Sequence, residues 1–143
     1  MHPNTFVAQT SCAMSNHFYK SIMAANEYDG PAVVSVYTTC QPEHGIGDNM
    51  AMQQSKLAVD TRTFPVLIYD PRKGEKIAQR LSLQGNPSEK TDFFIEPKTN
   101  DVYDFIRFPK HFGKDGNPGE TLIKAKQERL DNWRTSQELA GII

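Results

Sequence analysis

Short apolar runs alternate with longer stretches of mixed polarity through the first half of the chain, a pattern that reads as strands separated by helices. Phe6-Val7-Ala8-Gln9-Thr10-Ser11 is short and partly β-branched, and predicts a buried strand feeding a βα turn. Ser15 is placed to cap the helix that follows. Met14 and Tyr19 sit at hydrophobic-staple positions, and Phe18, Ile22 and Ala25 recur on one helical face that ends near Asn26. Tyr28-Asp29-Gly30-Pro31 breaks the pattern. Ala32-Val33-Val34-Ser35-Val36-Tyr37 is then almost wholly strand-favouring, as expected of a strand covered on both faces.

A polar loop from Thr38 to Gly47 leads to Asp48, a candidate cap for a helix that would turn Met50, Leu57 and Ala58 towards a core. Pro65 closes the linker, Val66-Leu67-Ile68-Tyr69 predicts a third strand, and Asp70-Pro71 a turn at its exit. Three strands alternating with two helices predict an α/β fold, part of an open, mainly parallel sheet with flanking helices. Beyond Arg72 the period changes. Arg80 to Leu83 has the composition of a short strand, Asn86-Pro87 of a turn, and residues 92–104 are irregular. The run of turn formers from Gly113 to Gly119 precedes a last helix, with Asn117 as N-cap, Pro118 at N1 and Glu120 at N3. That helix carries Leu122, Leu130 and Trp133, spaces Glu120, Lys124 and Glu128 for i,i+4 ion pairs, and stops near Gly141.

Composition narrows the functions. With 38% hydrophobic and 23% charged residues the chain is an ordinary globular one, and its net charge of −1 gives no overall attraction to nucleic acid or anionic lipid. No apolar run approaches the roughly 20 residues that cross a bilayer, and Met1-His2-Pro3-Asn4 lacks the layout of a secretion signal, so the cytoplasm is the expected compartment. Cys12 and Cys40 are the only cysteines, too few for a disulfide framework or for a four-iron cluster held by this chain alone.

Candidate chemistry gathers around Cys40, which follows a predicted strand directly, in the region of an α/β sheet where ligand sites collect. Residue type alone favours a small buried hydrophobe. The alternatives are a thiolate that ligates metal, or a nucleophile with His44 as base; the Glu43/His44 pair is otherwise a solvated loop. Cys12, His17, Cys40 and His44 have the atom types for zinc at spacings that match no usual pairing. Gly45-Ile46-Gly47 lacks the third glycine of a phosphate loop, and Lys114-Asp115-Gly116-Asn117 lacks the acidic alternation of a calcium loop, so both read as turns.

Several segments taken in order resemble one family. Gly30-Pro31-Ala32-Val33-Val34-Ser35-Val36-Tyr37 leading into Cys40, then His44-Gly45-Ile46, Gln54-Ser55-Lys56-Leu57-Ala58-Val59 and Tyr69-Asp70-Pro71-Arg72 are similar to the C-terminal region of pyruvate:ferredoxin (flavodoxin) oxidoreductases. The likeness continues through Leu81 to Pro87, Phe108 to Phe112, Gln127 to Arg134 and Gln137 to Gly141. It implies that residues 1–75 are the C-terminal half of a thiamine-diphosphate-binding α/β domain. Residues 76–143 would then be an irregular extension and closing C-terminal helix of the same unit.

The resemblance implies a parent enzyme of anaerobic metabolism that decarboxylates a 2-oxoacid on thiamine diphosphate with Mg²⁺. It passes electrons through 4Fe-4S clusters to ferredoxin or flavodoxin, transfers the acyl group to coenzyme A, and works as a homo-oligomer. It gives Cys40 the role of a cluster ligand, the others lying outside this chain. The Gly-Asp-Gly segment expected to hold Mg²⁺ and diphosphate is missing, Gly47-Asp48-Asn49 being misplaced relative to the strands, so no thiamine contact and no catalytic residue is assigned. The expectation is a segment inactive by itself, completed by the remainder of the parent. Its rivals are a non-catalytic α/β interaction module and a cysteine enzyme using Cys40 and His44.

Overall fold

A computed structural model of the chain describes residues 3–40, 46–87 and 118–143. Strand β1 spans Phe6–Ser11, helix α1 Ser15–Asn26, β2 Ala32–Tyr37, α2 Ala51–Asp60, β3 Leu67–Tyr69, the four-residue α3 Ile77–Arg80, β4 Leu81–Ser82, and α4 Glu120–Leu139. The class is α/β as predicted, and the first two strands and first helix fall on the predicted residues. The strands form one sheet in the order β2-β1-β3-β4.

The sheet is mixed rather than mainly parallel. β1 and β2 pair parallel, Phe6 opposite Ala32 through Ser11 opposite Tyr37. β3 runs antiparallel to β1 and β4 antiparallel to β3. The reason lies in α2. A parallel return requires a crossover that carries the chain back along the sheet. Here α2 sits instead at the C-terminal end of β1, where the Ser11 hydroxyl donates to the Ser55 carbonyl at 3.1 Å. The chain therefore re-enters the sheet from that end, with Leu67 opposite Gln9.

Alternation along β1 sends Phe6, Ala8 and Thr10 to one face, all fully buried. Helix α1 covers that face through a stripe offset from the predicted one. Ser21 is its buried residue, Ile22 and Ala25 are half-buried, and Phe18 is exposed. A small side chain lies at the closest approach, and the Ser21 hydroxyl donates back to the His17 carbonyl at 2.8 Å. Phe6, Val59, Val66 and Leu83 complete the core, each worth about 1.5–3 kcal/mol when removed from water. Asn86 closes it: its carboxamide accepts from the Val66 N–H at 2.9 Å and donates to the carbonyls of Val66 and Leu83, both at 2.7 Å.

Two predicted caps are not made. Ser15 is the first residue of α1, whose N-cap is Met14 with no side-chain cap. Asp48 opens a 3₁₀ turn, Asp48–Met50, and Met50 precedes α2, whose buried face is Gln54, Ser55, Ala58 and Val59. Asp70 does cap: its carboxylate accepts from the Arg72 N–H at the turn Pro71–Lys73, with Pro71 entering first. The last helix begins at Glu120 with Gly119 as N-cap, while Asn117 lies outside the described residues. It ends as predicted at Gly141, whose left-handed φ of 69° lets the N–H of Ile142 reach the Gln137 carbonyl at 3.0 Å.

Candidate functional site at the end of strand β2

Among the described residues β2 is the edge of the sheet, and here expectation and structure diverge. A strand predicted to be covered on both faces is open on both: Val33 is 54% and Val36 40% exposed, on opposite sides. Its hydrogen bonds also point one way. The carbonyls of Pro31 and Tyr37 accept from the N–H of Phe6 in β1 and of Cys12 just beyond it, so residues of that parity face β1. The backbone groups of Ala32, Val34 and Val36 consequently face outward along an edge that no other described strand pairs with. Across the face that α1 leaves bare, Val33, Val7, Tyr69 and Leu81 stand in register, and with Ile77 and Leu139 they border an apolar groove of about 360 Å³.

The chain leaves β2 through Thr38, Thr39 and Cys40. Cys40 is an exposed free thiol, which rules out the buried-hydrophobe reading within this chain. Thr39, next in sequence, is buried, and its Oγ1 has no hydrogen-bond partner among the described residues. Nothing in the sequence distinguished this threonine from the exposed one before it. The neighbouring strand end is fully knitted. Cys12 donates its thiol to Ser55 Oγ at 3.2 Å and its N–H to the Tyr37 carbonyl at 3.1 Å. The Tyr37 ring packs on Phe64 with centroids 5.1 Å apart, and burial, assisted by the nearby Cys12, pushes the Tyr37 hydroxyl above its usual pKa.

The other sequence candidates separate. His17 faces the sheet, its Nδ1 bonded to Thr10 Oγ1 at 3.0 Å, and burial, with the adjacent Lys20, lowers its pKa below the ordinary value. Among the described residues no three His, Cys, Asp or Glu side chains converge to hold a metal ion, so Cys12, His17 and Cys40 do not form a zinc site. His44, Glu43, His111 and Lys114 to Asn117 lie outside the described residues, and the Cys40/His44 pairing with them. Among the described residues no helix is long and apolar enough to cross a membrane.

Two structural sites escaped the sequence reading. Arg62, 2% exposed and left-handed at φ 52°, places its guanidinium over Trp133 at 5.5 Å and so ties the end of α2 to α4. Asp70 receives two further bonds from the Arg72 guanidinium, both at 2.9 Å, and the same cation lies 5.4 Å over the Tyr28 ring. The Asp-Pro-Arg order was the visible signal for the second; the first has none in sequence.

No protein-family model matches the chain. Individual relatives do. The chain is 27% identical over 135 residues to a pyruvate-flavodoxin oxidoreductase of Rhodospirillum rubrum, an alignment that covers 91% of this chain and 10% of that protein. It is 28% identical to pyruvate synthase subunit PorB of Thermotoga maritima, covering 62% of this chain and 27% of the subunit. It is 31% identical to a probable pyruvate-flavodoxin oxidoreductase of Escherichia coli, covering 61% of this chain and 7% of that protein. Across most of its length, then, the chain is similar to pyruvate-flavodoxin oxidoreductases, and it matches one short portion of these much larger proteins.

Proposed function

We propose that this chain serves as the C-terminal portion of a 2-oxoacid:ferredoxin or flavodoxin oxidoreductase acting on pyruvate or a close analogue, and contributes one cluster ligand, Cys40. In this reading residues 1–75 are the C-terminal half of the thiamine-diphosphate-binding domain and 76–143 its extension and closing helix. The observation that carries it is the state of β2. An apolar strand with one edge unpaired among the described residues leads, after two intervening residues, into an exposed thiol, so the element nearest the proposed chemistry is also the one open on its outer side. Exposed edges of this kind are normally paired or protected by charge, and Ala32 to Tyr37 carries no charge at all.

The residues present fit a 4Fe-4S cluster as one ligand of four. Cys40 is accessible and follows a hydrogen-bonded strand with two residues between. When bound, the cluster supplies one-electron transfer to ferredoxin or flavodoxin. The chain's own part is to present the thiolate and to hold it steady: β1 fixes β2 through six paired residues, and the bonds of Ser11 and Cys12 to Ser55 brace the strand ends from behind. Thiamine diphosphate, Mg²⁺, the 2-oxoacid and coenzyme A are assigned to the remainder of the parent enzyme, because the Gly-Asp-Gly segment expected for diphosphate and Mg²⁺ is missing from this sequence. A soluble cytoplasmic homo-oligomer is the corresponding assembly.

The test is replacement of Cys40 by Ala in the complete enzyme. The expected result is loss of one cluster's iron and of electron delivery, with thiamine diphosphate still bound; full iron content and normal delivery would overturn the assignment. For the isolated chain, calorimetry with thiamine diphosphate and Mg²⁺ should give no binding, and tight binding would contradict the placement of that site elsewhere.

A further inference from the structure

On the side of β1 away from β2, a cavity of about 240 Å³ opens between α1 and the strands β3 and β4. Asn16, His17, Lys20 and Gln84 are among its polar walls, Met14 and Ile68 among its apolar ones. Among the described residues no acidic side chain lines it, and the Lys20 ammonium has no ion pair. His17 is held from two sides. Its Nδ1 is bonded to Thr10 Oγ1 at 3.0 Å, and Gly85, at φ 108°, passes so close that a Cβ there would stand 3.3 Å from the ring Cδ2.

The hydrogen bonds decide which nitrogen carries the proton. Thr10 is fully buried, and among the described residues His17 is the one partner of its hydroxyl. The Ser21 hydroxyl, 3.4 Å from the same nitrogen, is engaged with the His17 carbonyl at 2.8 Å. A proton on Nδ1 would leave the Thr10 O–H buried without an acceptor, an unfavourable state. Thr10 therefore donates to Nδ1, and the ring carries its proton on Nε2. Burial, with Lys20 one helical turn along, lowers the His17 pKa, so the ring is neutral. Nε2 adjoins Cδ2 on the side of Gly85, itself a wall of the cavity, and has no partner among the described residues.

We infer that this cavity binds a small aliphatic monocarboxylate, the His17 Nε2–H and the Lys20 ammonium receiving its carboxylate while Met14 and Ile68 cover a short alkyl chain. Charge selects the class. With His17 neutral the cavity offers one positive charge, which matches a carboxylate, whereas a phosphate group brings about 1.5–2 negative charges at pH 7. Size sets the limit, since sites for drug-sized ligands are larger, roughly 300–1,000 Å³. No covalent step is involved. The 2-oxoacid of the proposed function is assigned outside this chain, so the inference stands apart from that reading and is tested without iron or thiamine diphosphate.

The experiment titrates the 143-residue chain with butyrate, followed by calorimetry and by ¹⁵N NMR of the histidine rings, with butyramide and inorganic phosphate as comparison probes. Before addition, the His17 ring should show its proton on Nε2. Butyrate should then bind and shift that signal, while the uncharged butyramide and phosphate leave it in place at the same concentration. Lys20→Met should weaken butyrate binding by about tenfold or more, as removal of a charged hydrogen-bond partner requires, and Lys73→Met should leave it unchanged. Both lysines are exposed, so neither substitution disturbs the core. A proton found on Nδ1, an unmoved His17 signal, or equal butyrate binding in Lys20→Met would each overturn the inference. Phosphate or butyramide bound as tightly as butyrate would overturn the assignment to a carboxylate.

Discussion

Asp70 shows how a single side chain can anchor a turn and record pH. Bonds from the Arg72 guanidinium, outweighing the opposing effect of burial, hold its carboxyl below the ordinary value of 3.8. Such a group contributes stability that is fully present above its unfolded pKa and is lost as pH falls through the lower folded one. Acid unfolding should therefore steepen below pH 3.8 in the original chain. In Asp70→Asn that extra dependence should vanish, leaving a protein weaker by about 1 kcal/mol near neutral pH, since a hydrogen-bonded pair with one exposed partner contributes modestly. Denaturant titrations at a series of pH values check both points; parallel pH profiles for the two proteins would contradict the assignment. His17 works in the same direction at higher pH. Burial favours its neutral form, so stability should fall as pH drops from 6.5 through its lowered folded pKa, a loss absent from His17→Asn.

At the scale of elements, α4 has Trp133 and Gln137 as its buried residues. Trp133→Ala should cost about 3 kcal/mol by opening the space beneath the Arg62 guanidinium, and should expose α4 to limited proteolysis while β1 and α1 stay intact. Equal resistance to protease in both proteins would show that the helix is held in another way. This clasp was invisible in the sequence because Arg62 and Trp133 are distant in the chain, and the helical spacing that includes Trp133 does not say which residue it packs against. β1, α1, β2 and the end of α4 at Gly141 were legible because local propensity decides them: β-branched runs, helical spacing, and a glycine where φ is positive. The direction of β3 was not, because the position of α2 depends on the tertiary bonds of Ser11 and Cys12 to Ser55. Nor was the exposure of β2, since Ala32 to Tyr37 is written for a covered strand and composition does not reveal which chain supplies the cover. Val33→Lys should accordingly leave the isolated chain as stable as before and improve its solubility, yet block assembly of the complete enzyme. Aggregation unchanged by that substitution would contradict the role given to the edge.

For the whole molecule, the shortfalls converge on one side. The open backbone of β2, the exposed Val33 and Val36, the bare groove beside Val7 and Tyr69, the orphaned Thr39 hydroxyl and the Cys40 thiol all belong to one strand, its extension or its sheet face. The chain spans 10% of the Rhodospirillum rubrum relative and 27% of the Thermotoga maritima subunit, so in both the matched portion accompanies a much longer stretch of protein. The central claim is that the edge of β2, unpaired among the described residues, is paired in the complete enzyme. Residue-resolved amide hydrogen exchange tests this most directly, comparing the isolated chain, kept monomeric, with the same residues in the assembled enzyme. In the isolated chain Val33, Ser35 and Tyr37, bonded to β1, should exchange slowly while Ala32, Val34 and Val36 exchange fast; in the assembly all six should be slow. Fast exchange at Ala32, Val34 and Val36 in both states would mean that nothing pairs with this edge, and would contradict the account.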